Sequence, residues 1–116
     1  MSASTHITRN NLVERLQSTV PDFVINPDWL DDVLGYPIMN DLARFICDQA
    51  GADDYAQVRS ALRFLEMGIE EGDEYVRDLV LEALETLAAC PHLAAVQAYF
   101  GPRLLDVSKT TLPGFE

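Results

Sequence analysis

Apolar residues at helical spacing are the feature that most limits what this chain can fold into. Val58, Leu62, Leu65 and Ile69 step by four, three and four positions, which places them on one face of a helix. Residues 73–89 continue with a second run of the same kind. No segment shows the clear alternation of polar and apolar residues that is typical of a half-buried strand. The sequence therefore predicts an all-α fold.

Capping residues, glycines and prolines divide this pattern into separate helices. The predicted helices cover about residues 10–19, 28–35, 37–51, 53–72, 73–89 and 91–101, with a last turn from Pro102. A length of 116 residues allows one domain. We expect a single helical domain over 1–116 with five to seven helices and a central antiparallel helical hairpin joined at 71–73. Residues 1–9 and 110–116 are expected to be flexible or extended.

The charge balance limits the classes of partner. The formal net charge is -11, whereas proteins that bind nucleic acid need Lys and Arg to displace counterions from phosphates. The same charge argues against binding to an anionic membrane surface. We therefore expect no direct nucleic acid and no membrane as partners, and a basic protein as the most plausible one. The oligomeric state is left open.

Acidic residues are concentrated between Glu66 and Glu85, where only Arg77 opposes them. On a helix, Glu74, Asp78, Glu82 and Glu85 form one stripe of like charge, and such pairs repel each other. The stripe is either a solvated face of the helix or a surface that meets a basic partner. The candidate partner-binding residues in this stretch are Glu66, Glu70, Glu71, Asp73, Glu74, Tyr75, Asp78 and Glu82.

A second acidic group surrounds the single tryptophan. Asp31 and Asp32 follow Trp29, and Tyr36 comes shortly after. Aromatic residues beside carboxylates are typical of interfaces, so Asp31 and Asp32 are also candidate partner-binding residues. The alternative is that Trp29 belongs to the core, because its helical spacing with apolar neighbours is typical of buried residues.

The sequence shows no assembled set of catalytic or metal-binding residues. Cys47 and Cys90 are not a closely spaced pair, and His6 and His92 are the only histidines, so we predict no metal site. We also predict no cofactor, no catalytic residues and no enzymatic activity. The N-terminal residues lack the apolar run of a secretory signal. We therefore expect a cytoplasmic protein in which both thiols are reduced.

Three short motifs carry a resemblance to a group of known proteins. They are FLE at 64–66, GDEYVRD at 72–78 and FGPRLL at 100–105. The chain resembles small helical bacterial proteins of the toxin-immunity type, most of them uncharacterised. The resemblance implies a protein that neutralises one cognate toxin. It does not imply any catalytic residue in this chain.

The resemblance and the charge suggest how such a toxin would be bound. A toxin that cuts nucleic acid has a basic active site, because its substrate is a polyanion. Carboxylates of the acidic stretch would then meet Lys and Arg of the toxin, and Tyr75 would supply an aromatic anchor.

Two other classes of function remain open. One is a helical adaptor or oligomer subunit, which would show a large exposed apolar patch, and the other is a small enzyme.

Overall fold

Six α-helices account for most of the chain that the structure describes. The computed structural model describes residues 7–27 and 35–111, and its helices are α1 (Leu12–Thr19), α2 (Tyr36–Gly51), α3 (Tyr55–Glu71), α4 (Glu74–Leu87), α5 (Leu93–Gln97) and α6 (Pro102–Thr111). Across these ranges the only β-type pairing is an isolated bridge. The predicted all-α fold is confirmed. The helix predicted over residues 28–35 lies almost wholly outside the described residues.

The borders of the two longest predicted helices follow from their caps. The Asp54 carboxylate precedes α3 and accepts a hydrogen bond from the Gln57 backbone N–H. The Asp73 carboxylate precedes α4 and accepts one from the Val76 N–H at 3.0 Å. Each satisfies an N–H group that the first helical turn leaves without a partner. The predicted junction between α3 and α4 therefore lies at residues 72–73.

The core is built around α2, α3 and α4. α4 packs most extensively against α2, and both also contact α3. The core includes fully buried side chains from both helices, among them Leu42 and Ile46 of α2 and Leu79 and Leu84 of α4. At Gly68 the helices α3 and α4 come so close that an added Cβ would lie 2.7 Å from Val80 Cγ2. A side chain at position 68 would therefore force α3 and α4 apart.

The start of the described chain is bound to the α3–α4 junction. Ile7 is fully buried, although residues 1–9 were expected to be flexible or extended. Its N–H donates to the Glu71 carbonyl at 3.0 Å, and its own carbonyl accepts from the Asp73 N–H at 3.1 Å. These bonds form a parallel bridge between Ile7 and Gly72. The expectation of a loose N-terminal segment is wrong for Ile7, because this single pairing satisfies its backbone while its side chain fills the core.

The last helix is longer than predicted. α6 runs from Pro102 to Thr111, so Thr110 and Thr111 belong to a helix and not to the expected extended tail. The Thr110 hydroxyl donates to the Asp106 carbonyl at 2.9 Å, which is a bond typical of Thr within a helix. The rest of the predicted tail, residues 112–116, lies outside the described residues.

The two cysteines form a disulfide, which contradicts the prediction of reduced thiols. Cys47 lies in α2 and Cys90 follows α4, and their Cα atoms are 5.9 Å apart. The cause is the packing of α2 along α4, which also brings the Thr86 hydroxyl to the side-chain oxygen of Asn40. A separation of 43 residues along the chain conceals this proximity, because only the tertiary packing creates it.

Candidate protein-binding surface

The outer side of α4 carries the charge stripe that the sequence predicts. Glu74, Asp78 and Glu85 are exposed and Glu82 is partly exposed, whereas Val76, Leu79, Val80, Ala83, Leu84 and Leu87 form the buried side of the same helix. The four carboxylates follow one another at intervals of four, four and three residues. They therefore share one face of α4, which we call the acidic face.

The described residues provide no cation that neutralises the acidic face. Arg77 is the nearest basic residue in the sequence, but its Nε donates to the Ile69 carbonyl at 3.2 Å. Among the described residues the ion pairs are Arg15–Glu71, Arg44–Asp41 and Arg103–Glu70, and none of them includes a residue of the acidic face. Within residues 7–27 and 35–111, none of the four carboxylates therefore has an ion-pair partner.

Helix capping explains the acid at the start of α4 and not the acids further along. Asp73 and Glu74 lie at the N-terminus, where the helix dipole favours negative charge. Glu85 lies in the last turn, which contains no basic residue, and there the dipole opposes a carboxylate. The C-terminal half of the acidic face therefore requires another explanation, either solvation or a partner.

Four of the predicted site residues have roles within the fold. Glu66 of α3 accepts hydrogen bonds from the backbone N–H groups of Arg103 and Leu104, at 3.0 and 2.9 Å, and so caps α6. Glu70 pairs with Arg103 at 3.3 Å, and Glu71 pairs with Arg15 at 3.5 Å. Asp73 caps α4. These contacts occupy the acids near the α3–α4 junction and leave the acidic face as the unpaired part of the stretch.

Gly101 is required for the Glu66 cap and is a residue that the sequence analysis did not identify. A Cβ at this position would lie 2.5 Å from Glu66 Oε1, so a side chain here would push the carboxylate away from the α6 N–H groups. A glycine followed by a proline predicts a helix start. It does not identify a carboxylate 37 residues away as the acceptor.

Tyr75 is a partly buried residue of the fold. Its ring packs against the hydrophobic core, and the Arg9 guanidinium carbon lies 5.5 Å from the ring centroid. Its hydroxyl lies 2.9 Å from the position that a Cβ of Gly35 would take. The structure thus uses Tyr75 to join the chain segments around the start of α4, and only its exposed part is available to a partner.

The second predicted acidic group cannot be placed on this surface. Asp31 and Asp32, together with Trp29, lie outside the described residues.

For the ranges 7–27 and 35–111, no helix is long and apolar enough to cross a membrane. Nor do those ranges contain a group of three or more His, Cys, Asp or Glu side chains that could hold a metal ion.

These observations define a small all-α domain with a continuous acidic face on α4. The chain belongs to the DUF7674 family, a domain of unknown function, and the match covers residues 9–112. No match is found among curated proteins or among solved structures. The family has no known function, so an inference about the partner must come from the surface itself.

Proposed function

We propose that this chain is an acidic binding protein that neutralises a basic partner protein, and that the acidic face of α4 is its binding surface. The observation that supports this proposal most directly is the unpaired state of Glu74, Asp78, Glu82 and Glu85 among the described residues. Binding, and not catalysis, is the activity that such a surface can perform.

A basic partner would bind favourably here because the carboxylates along α4 repel one another. Each like-charged pair at this helical spacing costs roughly 0.2–0.5 kcal/mol in an exposed position. Lys or Arg side chains of a partner would remove that cost and add attraction across the interface. Complementary charge of this kind also speeds diffusional encounter and rejects partners of the wrong sign.

The proposed partner is a cognate bacterial toxin, such as a nuclease. The resemblance of the three motifs to toxin-immunity proteins supports this choice. So does the chemistry of a nuclease, whose basic active site accepts a polyanion and would be blocked by a row of carboxylates. The acidic face would then occupy the position of the nucleic acid backbone.

The alternative function is that of a helical adaptor or oligomer subunit. That role calls for a large exposed apolar patch. Among the described residues the exposed large hydrophobics are Val24, Tyr36 and Tyr99, which lie on three separate segments of the chain. This distribution favours the charged surface over an apolar one as the main site of interaction.

The test compares two doubly substituted forms of the chain as baits. Glu74→Lys with Asp78→Lys reverses two charges of the acidic face. Asp48→Lys with Asp106→Lys makes the same charge change at exposed positions of α2 and α6. Proteins captured from the native cells by each bait and by the wild type are identified, and the captured partner is then purified for binding kinetics.

We expect the acidic-face variant to associate at least about tenfold more slowly at low salt and to lose most of its salt dependence. The control variant should bind at a rate close to that of the wild type. Neutralisation is then tested by expressing the partner in cells with and without this chain. Growth that the partner stops should resume when the wild-type chain is expressed with it. Unchanged binding by the acidic-face variant would show that α4 is not the interface.

The cytoplasmic location predicted from the sequence stays part of this proposal. The disulfide between Cys47 and Cys90 favours an oxidising compartment instead, so the redox state of the two cysteines in cells tests the location. Cytosolic proteins keep their thiols reduced, whereas disulfides persist in oxidising compartments. Alkylation of free thiols in intact cells, followed by mass spectrometry of Cys47 and Cys90, distinguishes the two states. Labelled cysteines support the cytoplasm, and an intact disulfide in cells contradicts it.

A further inference from the structure

A groove lined by three arginines runs along the outer side of α3. Its volume is about 630 Å³, and its lining includes Arg15 of α1, Arg59 and Arg63 of α3, and Tyr99 after α5. A second hollow of about 360 Å³ adjoins it and shares Arg15 and Arg63. We call the two together the arginine groove. A volume of this size is typical of small-molecule sites.

The arginines of this groove are unusual in a chain so acidic. The whole sequence has eight basic residues against nineteen acidic ones, and three of the eight line this one groove. Arg59 and Arg63 are one helical turn apart, so both point to the same side of α3. Arg15 reaches the groove from α1, which packs against α3.

The glutamates that also line the groove already have partners. Glu66 caps α6, Glu70 pairs with Arg103, and Glu71 pairs with Arg15. Arg63 is exposed and has no hydrogen bond or ion pair with any other described residue. Arg59 forms no ion pair with a described carboxylate, and its guanidinium carbon lies 5.7 Å from the centroid of the Tyr99 ring. As far as the described residues show, both guanidinium groups therefore have N–H donors available for a ligand.

We infer that the arginine groove binds a small phosphate monoester. A phosphate monoester carries about 1.5–2 negative charges and three acceptor oxygens, which guanidinium groups bind through their paired N–H donors. The hydroxyls of Ser18 and Thr19 line the adjoining hollow and supply further donors. Met67 and Tyr99 supply apolar surface for the organic part of the ligand. This site lies on elements other than α4 and is independent of the function proposed for the acidic face.

The test is a titration of the isotopically labelled protein followed by nuclear magnetic resonance. Phenyl phosphate is the probe, and malonate is the comparison anion because it carries two carboxylates and no phosphate. Arg63→Gln and Arg59→Gln remove one guanidinium each from the groove. Arg44→Gln makes the same change on α2, where Arg44 pairs with Asp41 and does not line the groove. Arg63 is exposed and makes no contact within residues 7–27 and 35–111 that would hold the fold, so the fold of its variant should be intact.

We expect phenyl phosphate to shift the amide signals of α1 and α3 residues around the groove with a dissociation constant of about 1 mM or lower. Arg63→Gln and Arg59→Gln should each weaken binding about tenfold or more, and Arg44→Gln should leave it unchanged. Three results overturn the inference. The first is signal shifts that do not saturate with phenyl phosphate, and the second is malonate binding as tight as that of phenyl phosphate. The third is a wild-type oligomer that the Arg63→Gln substitution dissociates, because the groove would then be occupied by a second copy of the chain.

Discussion

The contact between Glu66 and the start of α6 gives the sharpest prediction about stability. Glu66→Ala removes the acceptor for two backbone N–H groups, those of Arg103 at 3.0 Å and Leu104 at 2.9 Å. A helix N-cap contributes roughly 0.5–2 kcal/mol, and a hydrogen bond to a charged group contributes roughly 1.5–3 kcal/mol. Glu66 is only partly buried, so water replaces part of the loss. The expected decrease in the free energy of unfolding is therefore about 2 kcal/mol.

Urea unfolding followed by far-ultraviolet circular dichroism measures this change. For a domain of this size the same loss lowers the melting temperature by about 8 °C. Glu70→Ala is the matched control, because it removes the same charge from α3 and breaks only the exposed pair with Arg103. Such surface pairs contribute about 0–1 kcal/mol. Glu66→Ala should thus be clearly less stable than Glu70→Ala.

A double-mutant cycle with Gly101→Ala tests the geometry directly. The new methyl group would lie 2.5 Å from Glu66 Oε1, which should cost about 1–3 kcal/mol in the wild type. In the Glu66→Ala background the obstacle is gone, so the same substitution should cost little. A coupling of about 1 kcal/mol or more is expected for residues in contact. If Glu66→Ala is as stable as the wild type, or if Gly101→Ala costs the same in both backgrounds, Glu66 does not hold α6.

Four further predictions concern other parts of the fold. Replacing Cys47 and Cys90 by Ser should destabilise the protein by about 4 kcal/mol on the chain-entropy estimate for a separation of 43 residues, and a urea midpoint equal to that of the wild type would refute the disulfide. Gly72→Ala should destabilise by about 2 kcal/mol or more, because its Cβ would overlap a backbone oxygen of α3. Gly51→Ala should change thermal stability little, since its Cβ would meet only the movable His92 ring at 3.0 Å. Ile7→Ala should cost about 2–4 kcal/mol in urea unfolding, because Ile7 is fully buried, whereas a loss below about 0.5 kcal/mol would mean that the N-terminal segment is not docked.

The sequence predicted the helices well because their signals are local. The caps Asp54 and Asp73, and the apolar positions of α3 that step by three and four, lie within one or two turns of the features they determine. The acidic face was predictable for the same reason. Glu74, Asp78 and Glu82 needed only helical geometry to be placed together.

The contacts that the sequence missed join residues far apart in the chain. The bridge from Ile7 to Gly72, the Glu66 cap on α6 and the disulfide each depend on how helices pack, which no local pattern encodes. The arginine groove has the same origin, because Arg15 joins Arg59 and Arg63 only when α1 lies beside α3. The partners of Glu66, Glu70 and Glu71 within the fold could not be predicted for the same reason, because each partner lies on another helix.

The disulfide makes residues 47–90 a covalently closed ring. That ring contains the whole of α3 and α4, and with them every carboxylate of the acidic face. A protease that cuts once within the ring, for example at the α3–α4 junction, opens the backbone but leaves the two fragments joined through Cys47 and Cys90. The nicked chain keeps its full mass until it is reduced, and α4 stays tethered to the α2 surface on which it packs.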